Sequence, residues 1–191
     1  MKVLVISGSH RPKQVTYQFS EKFAEKIKGK RDVDIEICEL ANLNLKNCCG
    51  TGECIKTPEM RCVHNDDDFN KLFDKINESD AVLFIVPKYA PYPSKIMALM
   101  ERIMAISYWG YEQYGKMDEF AFAKKPAAIV AFASTAGIPI EVFYPLFFNF
   151  AGLGFETITF NQIPGMYINR ADNKDEQMLD DVAQAFAEKL A

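Results

Sequence analysis

The sequence predicts an α/β fold, a five-stranded parallel sheet with helices on both faces. Three observations carry this. Continuous apolar runs of strand length, Val3 to Ile6, Ala81 to Val86 and Ala127 to Ala133, read as strands buried on both sides. Stretches with apolar residues at helical spacing alternate with them. Small, hydroxyl-bearing or proline-rich residues follow the apolar runs, as turns require. Crossovers in such a sheet are right-handed, and the loops at the carboxyl ends of its strands gather into one ligand site.

The elements follow in order. The first strand breaks at Ser7, Gly8 and Ser9, and an amphipathic helix begins near Thr16, with Phe19, Phe23 and Ile27 facing a core. VDIEIC, from Val33 to Cys38, alternates as an outer strand does and makes Cys38 a buried packing residue. Residues 41–66 are irregular and hold most of the cysteines. Asp66 to Ser79 reads as a helix, with Phe69, Leu72, Phe73 and Ile76 on one face and acids at its dipole-favoured start. After the second buried strand and a YAPYPS turn, Met97 to Ile106 reads as a helix. Tyr108, Trp109, Tyr111 and Tyr114 follow it as an aromatic cluster suited to covering a ligand, an interface or the chain's own surface. Beyond the third buried strand, Ile140 to Phe150 is an apolar helix. The stretch EVFYPLFFNFAGLGF exceeds the need of one helix face, as a core helix or one against a second subunit would. Phe155 to Phe160 alternates as a strand, and Asp175 to Leu190 closes the chain as a helix.

At 191 residues the chain suits one domain, 1–191, with a cysteine-bearing insertion at about 44–66. A net charge of −4 argues against a general nucleic-acid surface. The N-terminal apolar run is too short for a signal peptide or a membrane span, and no other uncharged run reaches membrane length. The expected location is therefore cytoplasmic, with no membrane partner. Five cysteines in such a chain point to thiols, a metal or a redox role more than to structural disulfides.

Three loops carry suggestive chemistry. Ser7 to Thr16 joins a strand to a helix through small hydroxylated residues, so amides at the helix start face outward unpaired and the dipole favours an anion. Ser9, Arg11 and Thr16 add side-chain donors. The loop has neither the three spaced glycines of a dinucleotide site nor the Gly-Lys-Ser/Thr ending of a triphosphate loop, so a single phosphate is expected. The second loop, PKYAPYPS, is stiffened by Pro87, Pro91 and Pro93 and offers the flat rings of Tyr89 and Tyr92. The third, STAG, is small enough for its backbone to approach a ring edge. A phosphate subsite beside a planar-ring subsite describes a mononucleotide such as FMN. Taken singly, each loop also reads as an ordinary turn.

On these motifs the chain resembles the NADPH-dependent FMN reductase family of flavodoxin-like fold, close to its iron–sulfur flavoprotein branch. GSHRPKQVT is similar to the family's phosphate loop, and the match implies that Ser9, Arg11, Gln14, Val15 and Thr16 hold the FMN phosphate. His10 departs from the usual proline; it reads as a positioning group, a solvent-facing one or a contact to phosphate or substrate. DAVLFIVPKYAPYPSKIMALMERI resembles the strand, Pro-x-Tyr loop and helix that border the flavin, with Glu101-Arg102 where Asp-Arg is usual. The resemblance then implies Pro87, Lys88, Tyr89 and Ala90 beside the isoalloxazine ring. KKPAAIVAFASTAG resembles the fourth strand and its loop, which implies Ser134, Thr135 and Gly137 at the cofactor.

The iron–sulfur members of this family carry a compact set of four cysteines followed by an acidic pair. In NCCGTGECIKTPEMRCVHNDDD, Cys48, Cys54 and Cys62 match the first, third and fourth ligands, and Asp66 and Asp67 match the acids. Thr51 stands at the second position, and a hydroxyl is a poor ligand for soft metals. Three readings stay open: the cluster is lost and the loop is structural; a 4Fe–4S cluster persists with Cys49 or an outside ligand; or the segment holds zinc, with His64, or a redox disulfide between Cys54 and Cys62.

The resemblance implies an FMN-dependent oxidoreductase. A nicotinamide, NADH or NADPH, passes hydride to FMN, and the electrons go on to a quinone, another flavin or a small electrophile. The cofactor carries the chemistry, so no catalytic side chain is expected. The alternative is an electron-transfer flavoprotein reduced by a ferredoxin-like partner, and a third reading is a flavin-free binding module. A homodimer or homotetramer is expected.

Overall fold

The computed structural model describes residues 1–56, 61–89, 92–114, 122, 124–133, 140–159, 166–169 and 175–190. Chain order is β1 (Lys2–Ser7), α1 (Val15–Lys28), β2 (Asp34–Glu39), α2 (Phe69–Glu78), β3 (Ala81–Pro87), α3 (Ser94–Tyr114), β4 (Pro126–Ala133), α4 (Ile140–Gly152), β5 (Glu156–Thr157), β6 (Met166–Asn169) and α5 (Asp175–Lys189). All strand pairs described are parallel, in the order β2-β1-β3-β4, with β5 and β6 both on the outer side of β4.

Period-two alternation sends each strand's side chains to two cores. Leu4 and Ile6 of β1 and Val82, Phe84 and Val86 of β3 pack with α2, α3 and α4, while Val3, Val5, Leu83 and Ile85 pack with α1 and α5. The apolar runs are continuous because both faces are covered, and every side chain from Ala81 to Val86 is fully buried. Phe84 meets Phe150 of α4 at 4.6 Å on one face, and Phe23 of α1 meets Phe186 of α5 edge-on at 5.6 Å on the other. Burying each ring contributes about 1.5–3 kcal/mol. None of the described helices is long and apolar enough to cross a membrane.

The expected five-stranded parallel sheet with helices on both faces holds in its core and shifts at its ends. Where one strand was expected from Phe155 to Phe160, the fifth position is shared: β5 pairs with Pro126 and Ala127 at the start of β4, and β6 pairs with Val130 to Ala133 at its end. α3 runs on to Tyr114, so Tyr108, Trp109, Tyr111 and Tyr114 lie in its last turns and not after it. Gly110 does not stop it, since a lone glycine costs a helix only about 1 kcal/mol. The side chains of those aromatics lie outside the described residues. α2 starts at Phe69, not Asp66, because the preceding acids are engaged elsewhere. Asp68 and Asn44 exchange two bonds, Asp68 N–H to the Asn44 carbonyl and Asn44 N–H to Asp68 Oδ2, each 2.9 Å.

Candidate functional site

The order of the sheet places a crevice at one point. From β1 the chain moves outward to β2, then crosses back to β3 on the other side of β1. The helix after β1 covers one face and the helix after β3 covers the other. The two connections therefore separate above the carboxyl ends of β1 and β3.

The loop after β1 is pressed onto its neighbour there. Gly8 N–H donates to the Ile85 carbonyl at 2.9 Å. A Cβ on Gly8 would stand 3.0 Å from Ile96 Cδ1 and 3.1 Å from that carbonyl, so any larger residue would push its neighbours aside by a few tenths of an ångström. Ser9 is buried, and its hydroxyl accepts the N–H of Arg11 at 3.0 Å. Gln14 is the N-cap of α1 and makes no side-chain cap bond, and no acid sits in the first turn. The amides at the start of α1, followed by buried Thr16, are thus left for an anion.

Between Ser9 and the helix, Lys13 adopts φ 55°. Glu39, buried at the end of β2, holds it there: Oε1 accepts the Lys13 N–H at 2.7 Å, while Oε2 accepts Asn42 Nδ2 at 3.0 Å. The Lys13 ammonium lies 3.6 Å from the Tyr17 ring centre, and its bond to Tyr17 raises its pKa. Arg11 and Lys13 add two exposed cations to the rim.

The loop after β3 meets this one. Pro87 is buried, Lys88 half-buried and Tyr89 exposed. The Tyr89 ring lies nearly parallel to His10, 8° between planes at 6.2 Å. His10 Nε2 accepts the Ser94 N–H at 3.0 Å, and the Ser94 hydroxyl lies 3.4 Å from the same nitrogen. Lys95 Nζ donates to the Leu40 and Ala41 carbonyls, both at 2.9 Å, tying in the connection after β2.

The sequence-predicted residues Ser9, Arg11, Gln14, Val15 and Thr16 thus lie on one loop and helix start, beside Pro87, Lys88 and Tyr89. Ala90, Ser134, Thr135 and Gly137 lie outside the described residues. The Pro87–Phe132 register does bring the end of β4 beside that of β3. Sequence reasoning missed Lys13, Glu39 and Ser94, and left His10 unassigned. The available signal was Glu39, an acid at the carboxyl end of a strand that the fold must bury. Uncapped amides, buried hydroxyls and two cations fit a single phosphate, and the exposed Tyr89 ring, parallel to His10, fits a flat ring, so the residues fit FMN.

The cysteine segment is separate. Cys48, Cys49, Cys54 and Cys62 line a cavity of about 30 Å³ with Thr51, Arg102 and Ile106. All five cysteines of the chain are thiols. The Thr51 hydroxyl lies 3.2 Å from Cys49 Sγ, occupied with a thiol at the position where a ligand would stand. Arg102 Nη2 donates to Cys62 Sγ at 3.0 Å. Among the described residues, no group of three or more His, Cys, Asp or Glu is arranged to hold a metal ion, and His64 joins none. Thr51 replaces the second thiolate of the family's set, and a hydroxyl is a poor ligand for soft metals. Asp67, matched to the family's acidic pair, turns inward to bind Arg102, with side chains 0% and 2% exposed. Cys38 is buried as expected, and burial pushes its thiol up to about 11.

A 35% identical stretch of 89 residues is shared with an iron-sulfur flavoprotein of Archaeoglobus fulgidus, spanning 47% of this chain and 41% of that one. This chain therefore spans less than half of that relative. The fold is similar to flavodoxin 1 of Bacillus cereus, with TM-score 0.60 and 14% identity over 100% of both chains. It is also similar to an NAD(P)H:quinone oxidoreductase of Methanothermobacter marburgensis, with TM-score 0.67 and 15% identity over 100% of this chain and 96% of that one. These likenesses place the crevice on a flavodoxin-like fold. Residues 1–162, which include both loops and the cysteine segment, match NADPH-dependent FMN reductases, and the chain belongs to that family of oxidoreductases.

Proposed function

We propose that this protein binds FMN in the crevice above β1 and β3, takes hydride from NADH or NADPH, and passes electrons to a quinone, a second flavin or a similar small acceptor. One observation carries the reading. The loop after β1, with its uncapped helix start, and the loop after β3, with its exposed ring, are fastened together by His10 and Ser94 at the point where the sheet order reverses.

The division of labour follows from the residues. The amides at the start of α1, Ser9 and Thr16 hold the phosphate, with Arg11 and Lys13 supplying long-range attraction. Pro87, Lys88 and Tyr89 border the ring, and Tyr89 stays exposed where a nicotinamide would approach. Bound FMN supplies the hydride-accepting chemistry, while the protein supplies position and electrostatics. The quinone-reducing neighbour of similar fold supports the choice of acceptor.

Anaerobic addition of NADPH or NADH to the FMN-loaded protein tests this. Rapid bleaching of the flavin band, and reoxidation by a quinone, is expected. The match to an iron-sulfur flavoprotein favours a second reading, a carrier that receives electrons from a ferredoxin-like protein. A flavin that stays oxidised with both nicotinamides but bleaches with reduced ferredoxin would replace the first reading by the second. A protein that takes up no FMN would sink both.

A further inference from the structure

His10 joins two elements far apart in the chain through a bond that only one protonation state permits. Its Nε2 accepts the backbone N–H of Ser94, the first residue of α3, at 3.0 Å. A ring nitrogen accepts only through its lone pair, so Nε2 carries no proton while this bond stands. The ring is then neutral, and its one proton sits on Nδ1. A proton on Nε2 would meet the Ser94 N–H head on. The Ser94 hydroxyl, 3.4 Å from the same nitrogen, is the more distant acceptor left beside it. The Ser94 N–H would lose its partner at a helix start, where no carbonyl of the helix can replace it.

The charged groups on the surrounding elements do not hold a proton on this ring. Arg11 and Lys13 follow His10 on its own loop, and Lys88 and Lys95 stand next to Tyr89 and Ser94 in the chain. The first turn of α1 holds no acid. Glu39, at the end of β2, gives its two oxygens to the Lys13 N–H and to Asn42. Among the described residues no carboxylate bonds the imidazole.

We propose that His10 is a positioning residue of the flavin crevice that works only as a neutral imidazole, so that proton uptake unlatches the loop after β1 from α3 and weakens FMN binding. This rests on the crevice being the FMN site. The latched arrangement holds one proton fewer than an open one with an imidazolium, so acid favours opening. Imidazoles change charge between about pH 5 and pH 8, and the latch works across that range. Tyr89, parallel to the ring at 6.2 Å, loses its neighbour when the latch opens.

Two measurements on the full chain test this. FMN is titrated into the apoprotein of the natural chain and of His10→Gln, from about pH 8 to about pH 5. The glutamine carbonyl accepts a hydrogen bond at every pH. The phosphate of FMN changes charge near pH 6 in both titrations alike, so the ratio of the two affinities is read. The affinity of the natural protein relative to His10→Gln should fall roughly five-fold on acidification, as loss of one neutral hydrogen bond implies. A flat ratio overturns the proposal. So does a ratio that rises, which would make His10 a cationic ligand of the phosphate.

Nitrogen NMR of isotopically labelled apoprotein needs no flavin. The chain has two histidines, so either His10→Gln or His64→Gln assigns the signals of the natural protein, whichever variant folds. At about pH 8 the His10 proton should lie on Nδ1, and the Ser94 amide signal should shift together with the imidazole as acid is added. A proton on Nε2 at that pH, or a Ser94 amide indifferent to the imidazole, overturns the latch. Failure to take up FMN at any pH would sink the reading of the crevice, and the NMR result would still decide the latch.

Discussion

His10 Nε2 accepts the backbone N–H of Ser94 at 3.0 Å, so a side chain from the loop after β1 caps the first residue of α3. That N–H is one of the donors a helix start leaves unpaired. The same imidazole lies parallel to Tyr89. The two loops are thus fastened to each other, and on the proposed reading this lowers the ordering cost of binding FMN.

His10→Ala removes this latch. The lost bond is worth about 1 kcal/mol, which corresponds to roughly five-fold weaker FMN binding. His10→Gln retains an acceptor and should recover part of the loss. Titration of the apoprotein, followed by quenching of flavin fluorescence, measures both. Equal affinities in all three proteins would remove His10 from the site.

Glu39→Ala acts on the same loop from the opposite side. Without the carboxylate, nothing described holds Lys13 at φ 55°, a backbone state costing about 1–2 kcal/mol for a residue with a Cβ. FMN affinity should fall by roughly ten- to hundred-fold, as loss of a charge-assisted bond of about 1.5–3 kcal/mol implies. Adding Lys13→Gly should restore part of it, since glycine adopts positive φ without strain. A double variant no better than Glu39→Ala would show that the carboxylate matters for charge and not for shape.

Gly8→Ala tests the close approach of β1 to β3. The added methyl would meet Ile96 and the Ile85 carbonyl at 3.0–3.1 Å, and a carbonyl in a buried strand cannot yield as a side-chain tip can. Overpacking of this kind costs about 1–3 kcal/mol. Urea unfolding should show the loss together with weaker FMN binding. Unchanged stability would mean that the loop relaxes freely away from β3.

The strands and helices around this site were legible in the sequence because their signals are local. Val3 to Ile6 and Ala81 to Val86 are continuous apolar runs, and the fold buries both faces of them. The phosphate loop was legible through Ser9, Gly8 and the helix that follows. The partners of His10 and Lys13 were not, because Ser94 and Glu39 lie far away in sequence and only the register of β2-β1-β3 brings them near. The shared edge of β5 and β6 was hidden for a similar reason, since two short pairings along β4 leave no single alternating run. Asp67 was legible in part: its Oδ1 accepts the Phe69 N–H at the start of α2, as an acid before a helix should, while its Oδ2 turns inward to an arginine on α3, a partner distant in sequence.

That buried pair sets the acid stability of the cysteine segment. Burial pushes the Asp67 carboxyl up, but Arg102 and the N–H groups of Lys46 and Phe69 outweigh it and hold it below the usual carboxylate range. A carboxyl depressed on folding contributes stability above its unfolded value of about 3.9, and that contribution is lost as pH falls through the folded value. Arg102→Met leaves the carboxylate buried and uncompensated, at a cost of about 3–5 kcal/mol near neutrality. In that variant the carboxyl is raised instead, so it takes up a proton earlier and sheds its penalty as acid is added. The stability gap between the natural protein and Arg102→Met should therefore narrow from about pH 7 to about pH 4. Urea unfolding at a series of pH values reads the gap directly. A gap that stays constant would assign the role of Arg102 to its packing on Phe69, 4.0 Å away, and not to its charge.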